Sequence, residues 1–135
     1  MLQKELVDRM IAVPGNKDYG RLSIMTQLYC EAEKLFNVSP GAFSPPPKVE
    51  SAIIRLTMRP KLLCDIINMK HFAALVLQSF NMRRKTIRKA MSGIISDAMF
   101  EQTAINSTLR PENLSIEQFA LLSNTAVQQS ESRQN

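Results

Sequence analysis

The chain has 135 residues, 44% of them hydrophobic and 21% charged, with a formal net charge of +5. That length suits one ordinary domain or two small pieces sharing an interface, and that apolar content excludes global disorder. The longest apolar run, residues 72–77, is too short to span a bilayer, where about 20 apolar residues are needed.

Residues 1–10 begin without a cap or turn, with residues 1–2 read as the tail of a strand. No basic segment followed by an apolar one opens the chain, so no secretory signal is expected. Leu6, Val7, Met10 and Ile11 recur at helical spacing and predict a short amphipathic helix over 5–11. Val13, Pro14, Gly15 and Asn16 form a turn, extended by Asp18, Tyr19 and Gly20. A second helix is predicted over 22–32, with Ser23 as its cap, and a short strand over 33–38.

Residues 42–56 read A-F-S-P-P-P-K-V-E-S-A-I-I-R-L. Pro45, Pro46 and Pro47 fix φ near −65° and donate no N–H, which favours an extended, semi-rigid segment. Ala52 to Leu56 has the apolar, β-branched content of a mostly buried strand. Two readings stand open on the residues alone. One is a surface loop feeding an edge strand, and the other is a stiff lip holding Phe43 over a pocket.

Arg59-Pro60 ends this unit, and no glycine or proline follows between residues 61 and 92. A helix is predicted over 69–80, with Phe72, Leu75, Val76 and Phe80 on one face. Helix resumes over 83–91, Gly93 interrupts it, and a further helix spans 94–103 with Ile95, Met99 and Phe100 inward. Residues 110–113 turn. The last helix runs over 115–127 behind a capping box at Ser115 and Gln118, and the residues from 128 onward are expected to fray. The order is α/β, then α.

Positive charge is concentrated. Residues 1–80 net +3, residues 92–135 net −3, and residues 81–91 hold five cations and no acid. On a continuous helix Arg84, Lys85, Arg88 and Lys89 would share one arc beside Phe80, Ile87, Met91 and Ile94, with Arg83 on the other flank. Like charges at i,i+4 repel, and a bound polyanion relieves that repulsion while releasing counterions. Nucleic acid is the favoured reading, with a solvated basic face and an acidic lipid or protein partner as the others.

With a single histidine, His71 near the start of an amphipathic helix, no Ser-His-Asp or Cys-His constellation is available, and a surface or capping role is expected for it. Gly15, Gly20, Gly41 and Gly93 are too scattered for a cofactor loop. Cys30 and Cys64 match no metal or redox spacing and read as reduced thiols of a cytoplasmic protein. No metal site is expected.

Five segments in order resemble one family. They are M-L-Q-K-E-L-V-D-R at 1–9, Y-G-R-L-S at 19–23, A-F-S-P-P-P-K-V-E-S-A at 42–52, F-N-M-R-R-K-T-I-R at 80–88 and R-P-E-N-L-S at 110–115. Together they resemble the bacterial ribosomal RNA small-subunit adenine N6-dimethyltransferases, over the chain up to about residue 126. Erythromycin-resistance rRNA methyltransferases share F-x-P-x-P-x-V-x-S, but the triple proline and the R-R-K-T-I-R run favour the housekeeping family.

The resemblance implies a fold of α/β plus α: part of a Rossmann-like methyltransferase domain over 1–60, followed by a small all-helical rRNA-binding domain over 61–135 with a polar tail. It implies methyl transfer from S-adenosyl-L-methionine to two adjacent adenines near the 3′ end of small-subunit rRNA, within ribosome biogenesis. The partner would be that rRNA or the pre-30S particle, in the cytoplasm, with no membrane.

Phe43 would stack on the target base, with Pro45, Pro46, Pro47 and Lys48 forming the pocket lip. Arg83, Arg84, Lys85, Arg88 and Lys89 would dock phosphates. Tyr19, Gln3 and Glu5 match family positions, with a structural role at least as well supported. The family's glycine-rich cofactor loop, its acidic ribose-binding residue and its Asn-Leu-Pro-Tyr motif are not among these residues. The expectation is therefore a C-terminal portion, inactive alone, with the cofactor site largely elsewhere. Unpaired strand edges would favour dimerisation or strand exchange. A non-catalytic RNA-binding or ribosome-assembly module and a DNA-binding helical domain are the alternatives.

Overall fold

The computed structural model describes residues 1–39, 41 and 49–134, with side chains described as far as Glu131. Phe43, Pro45, Pro46, Pro47 and Lys48 lie outside the described residues. The chain divides into two compact units, Met1–Leu63 and Cys64–Asn135.

In the first unit, β1 (Leu2–Gln3) leads directly into α1 (Lys4–Ile11). The first amide of α1, on Lys4, donates to the carbonyl of Glu50 at 2.9 Å, so the helix start is tied to the approach of β3 (Ser51–Met58). Val7 and Met10 are buried, and Lys4–Asp8 and Glu5–Arg9 pair along the outer surface at i,i+4. Pro14 and Gly15, the latter at φ +90°, fill the middle of the 13–16 turn, whose Asn16 amide reaches the Val13 carbonyl at 3.1 Å.

Helix α2 is Arg21–Tyr29, shorter than predicted at its far end, and Ser23 is not its cap. Gly20 holds the N-cap position. Ser23, fully buried, accepts the Gly20 amide proton at 3.1 Å and donates to the Arg9 carbonyl, fastening α2 to the end of α1. Gln27 does the same one turn later through bonds to the carbonyls of Met10 (2.9 Å) and Ala12 (2.8 Å).

The chain leaves α2 at Cys30 because the next residues find a strand partner. β2 (Cys30–Val38) pairs antiparallel with β3 from Cys30↔Met58 to Val38↔Ser51, with a bulge at Leu35. Leu2↔Ala52 and Gln3↔Ser51 add β1 on the other side, giving the order β1-β3-β2. Strand β3 is buried only at its start. Ser51 and Ala52 are covered, Ile53 and Ile54 half-covered, and residues 55–58 exposed, so the expected mostly buried strand is half of one.

The second unit is helical. α3 (Met69–Asn81) starts behind Asn68, whose side chain accepts the His71 amide proton at 3.1 Å. It packs Phe72, Leu75 and Val76 against α6 (Ile116–Gln134), which contributes Phe119, Leu122 and Ala126. Each fully buried Phe or Leu side chain there is worth about 1.5–3 kcal/mol of transfer free energy. Phe80, expected inward, is half-buried, its ring 5.8 Å from that of Phe119.

The predicted helix over 83–91 is replaced by a turn and one short helix, α4 (Ile87–Ala90). After Gly93, at φ +88°, Ser96 caps α5 (Asp97–Thr103), so the helix predicted from residue 94 begins three residues later. A 3₁₀ turn at Pro111–Asn113 precedes the capping box. The Gln118 amide donates to Ser115 Oγ (3.1 Å), and the Ser115 amide donates to Gln118 Oε1 (2.9 Å). α6 continues past the expected fraying point, aided by Gln129 Nε2 donating to Gln102 Oε1 at 2.7 Å. Among the described residues no helix is long and apolar enough to cross a membrane.

Candidate nucleic-acid interface

The basic segment is shaped by where its backbone donors go. Helix α3 ends at Asn81, and the amides of Met82 and Lys85 close successive turns onto Ser79 (3.1 Å) and Met82 (2.9 Å). Thr86 is extended. The amides of Ile87 and Arg88 then reach the carbonyls of Leu109 (2.7 Å) and Ser107 (3.1 Å) on a distant loop. Those two long-range bonds take the donors a continuous helix would use internally, which is why the helix breaks. Ile87, Ala90 and Met91 are buried beneath, and Gln78 Nε2 holds the far end through the carbonyls of Ala90 and Ser92, both at 3.0 Å.

The five cations therefore do not lie on one helical arc. Arg83, Arg84 and Lys85 project from the turn, and Arg88 and Lys89 from α4. Their electrostatic situations differ as well. Arg83 is half-buried, its guanidinium 5.9 Å from the centre of the Phe80 ring and 3.6 Å from Glu112. Arg88 forms a two-pronged bridge to Asp97, Nε to Oδ1 and Nη2 to Oδ2, each at 2.9 Å. That carboxylate raises the Arg88 pKa above its ordinary value. Arg84, Lys85 and Lys89 are exposed, and among the described residues no ion pair engages them. Asp97 and Glu112 were not legible as part of the site, because they reach it from other elements.

Two shallow depressions flank this segment. One, of about 470 Å³, is lined by Phe80, Asn81, Met82, Arg83, Arg84 and Lys85, so its only charges are positive. The other, of about 450 Å³, places Asp97 and Glu101 beside Arg88, with Phe100 and the 104–107 loop. Only the first suits an anion as it stands.

In the first unit, a depression of about 480 Å³ lies where residues 49–50 meet α1. Its lining includes Gln3, Lys4, Glu5, Asp8, Lys17 and Glu50. Asp8 sits between Lys4 (2.9 Å) and Lys34 (3.4 Å), and its hydrogen bond from Lys4 holds its pKa below the usual carboxylate value. Gln3 and Glu5 thus border a charged hollow, whereas Tyr19 is fully buried in the core of the unit. His71 is half-buried in the second unit, Nδ1 sharing a 2.7 Å hydrogen bond with the buried Ser123, and burial lowers its pKa.

Known proteins with the same organisation were found at both the sequence and the fold level. A ribosomal RNA small subunit methyltransferase A of Xanthomonas campestris is 50% identical over 124 residues, covering 92% of this chain and 47% of the relative. One from Pseudomonas putida is 46% identical over 129 residues, covering 96% and 48%. The chain thus spans about half the length of these curated relatives. The fold matches a crystal structure of a dimethyladenosine transferase from Plasmodium falciparum with a TM-score of 0.74 at 24% identity, covering 97% of this chain and 55% of that one. It matches 23S rRNA methyltransferase ErmE with a TM-score of 0.61 at 23% identity, covering 93% and 52%. The sheet with its helices and the helical unit after it are therefore the α/β plus α arrangement of an rRNA methyltransferase fold. The family model described as ribosomal RNA adenine dimethylase matches residues 1–128, and the chain belongs to that family.

Proposed function

We propose that this chain supplies the RNA-facing part of an enzyme that dimethylates N6 of two adjacent adenines near the 3′ end of small-subunit rRNA, in the cytoplasm on the pre-30S particle. The observation that carries the reading is the uncompensated trio Arg84, Lys85 and Lys89 in a member of the rRNA adenine dimethylase family. In this reading Arg83, Arg84, Lys85, Arg88 and Lys89 dock phosphates, positioning the RNA without reading its sequence. Phe43 stacks on the adenine after it leaves the RNA stack, and Pro45, Pro46, Pro47 and Lys48 form a stiff rim that spends little order on holding it.

The methyl donor of the reaction is S-adenosyl-L-methionine. The described residues do not fit a site for it. The hollow beside Glu50 is lined by charged side chains with Gln3 and Val49, and offers neither a glycine cradle nor an aromatic face. This reading therefore puts the cofactor mainly against residues beyond these 135, and divides the chain's own share into the lip over 1–60 and the docking surface over 61–135.

The test is Phe43→Ala in a full-length relative carrying this segment. Stacking on an aromatic is worth about 1–3 kcal/mol per base, so methyl transfer should fall about 5- to 150-fold. RNA affinity, set by the phosphate contacts, should change little. Turnover that survives the substitution would remove the stacking role.

A further inference from the structure

We infer that Asp97 and Glu112 are charge-shielding residues that narrow the phosphate path to Arg84, Lys85 and Lys89. The inference rests on the RNA-docking reading above and says which of its five cations carry the binding. Arg83 and Arg88 each have a carboxylate brought to them from another element. Asp97 opens α5 and grips Arg88 with two 2.9 Å bonds, while Glu112 in the 3₁₀ turn lies 3.6 Å from Arg83.

The Asp97 grip uses the Nε and one Nη2 proton of Arg88 and cancels its charge. A phosphate approaching Arg88 also meets Glu101, which lines the same depression. Among the described residues, the hollow lined by residues 80–85 has no acid in its lining, and Glu112 meets only its Arg83. A strand of RNA is thus attracted by Arg84, Lys85 and Lys89, and repelled where it strays toward Asp97 and Glu101. Repulsion of wrong backbone paths is a way to gain selectivity without adding contacts.

Glu112 is the more covered of the two acids, at 28% exposure. Asp97 and its arginine are each about two-thirds exposed (64% and 66%), so the pair adds little to the stability of the unit. Removing the acid should free a cation rather than collapse the unit.

The experiment measures binding of the full chain to a labelled oligouridylate strand across a series of potassium chloride concentrations. For the wild type, three engaged cations on a single strand give a slope of log affinity against log salt of about −2. Asp97→Asn should steepen that slope by about 0.7 and tighten binding at low salt, and Glu112→Gln should act alike, the two together giving about 1.4. Asp97→Ser guards against an effect peculiar to asparagine, and thermal melting checks that each variant folds. Adding Arg88→Gln to Asp97→Asn should restore the wild-type slope. A wild-type slope of about −2 that stays unchanged or flattens in Asp97→Asn and Asp97→Ser overturns the shielding alone. A wild-type slope near zero overturns the RNA reading, and the shielding with it.

Discussion

The units Met1–Leu63 and Cys64–Asn135 carry nearly the same charge inventory, nine cations against six carboxylates in the first and eight against six in the second. They deploy it differently. In the first unit Lys4, Arg9, Lys34, Arg55 and Arg59 each meet a carboxylate within 4 Å, and Asp8 serves two lysines at once. In the second unit, among the described residues, acids pair with Arg83 and Arg88 and leave Arg84, Lys85 and Lys89 open. Net charge per unit therefore says little about an anion surface. What matters is whether the backbone brings acids within reach of the cations, because residues 81–91 hold five basic side chains and no acid of their own.

The largest expected effect tests whether that open set of cations depends on the core beneath it. Phe119 is fully buried and lies beside Phe80, from which the turn departs. Phe119→Ala should cost about 3–5 kcal/mol, a large share of the stability of so small a unit. Thermal melting should show the loss, and RNA binding should fall with it. Undiminished binding would mean the turn keeps its shape without the α3–α6 core.

Next in size is the direct contrast of the two units. Neutralising Arg84, Lys85 and Lys89 to Gln should flatten the salt dependence of RNA binding by about 2. Neutralising Lys4 and Lys34 in the first unit should leave it unchanged, because those cations already answer Asp8. Equal losses from the two sets, read by the same titration, would erase the distinction.

The sequence made legible whatever was local. The 3.6-residue pattern of Phe72, Leu75 and Val76 located α3, and the Ser115–Gln118 pair located the start of α6. It failed wherever a partner came from far along the chain. Cys30, Glu31 and Ala32 continue a helical pattern, yet they become strand because Met58, Thr57 and Leu56 offer a ladder. Residues 83–86 leave the helix because Ser107 and Leu109 present carbonyls to the next two amides. The acids that pair with Arg88 and Arg83, at 97 and 112, were invisible for the same reason. Of the lip, Phe43 and the prolines lie outside the described residues, and the charged hollow at its Glu50 end is the part the structure adds.

A smaller effect separates the units by acidity. The pKa of Asp8 is lowered from 3.8, first by its hydrogen bond from Lys4 and also by Lys34, so its unfolded form binds a proton more readily than its folded form. Its contribution is complete above the unfolded value and is lost as pH falls through the folded one. The first unit should therefore gain acid sensitivity only below about the ordinary carboxylate range. Lys4→Met should move that loss to higher pH, seen by following unfolding against pH, and an unmoved profile would mean Lys4 contributes nothing there.

The second unit should yield earlier, through His71. Burial lowers its pKa from 6.5, so the folded state favours the neutral ring, which shares its Nδ1 hydrogen bond with Ser123. Above the unfolded value the ring is neutral in both states and its contribution is whole. As pH falls below 6.5 the unfolded chain takes up a proton first, and stability declines until the folded pKa is passed. His71→Gln removes that proton uptake while keeping a polar group toward Ser123. The variant should show a flatter stability profile between neutrality and the range where carboxylates begin to titrate, with the first unit's acid limb unchanged. Since the ring is only half-buried, the difference should be the smallest of the set. A variant profile parallel to the wild type across that window would mean that His71 titrates alike in the folded and unfolded chain, and that the two units do not part company near neutral pH.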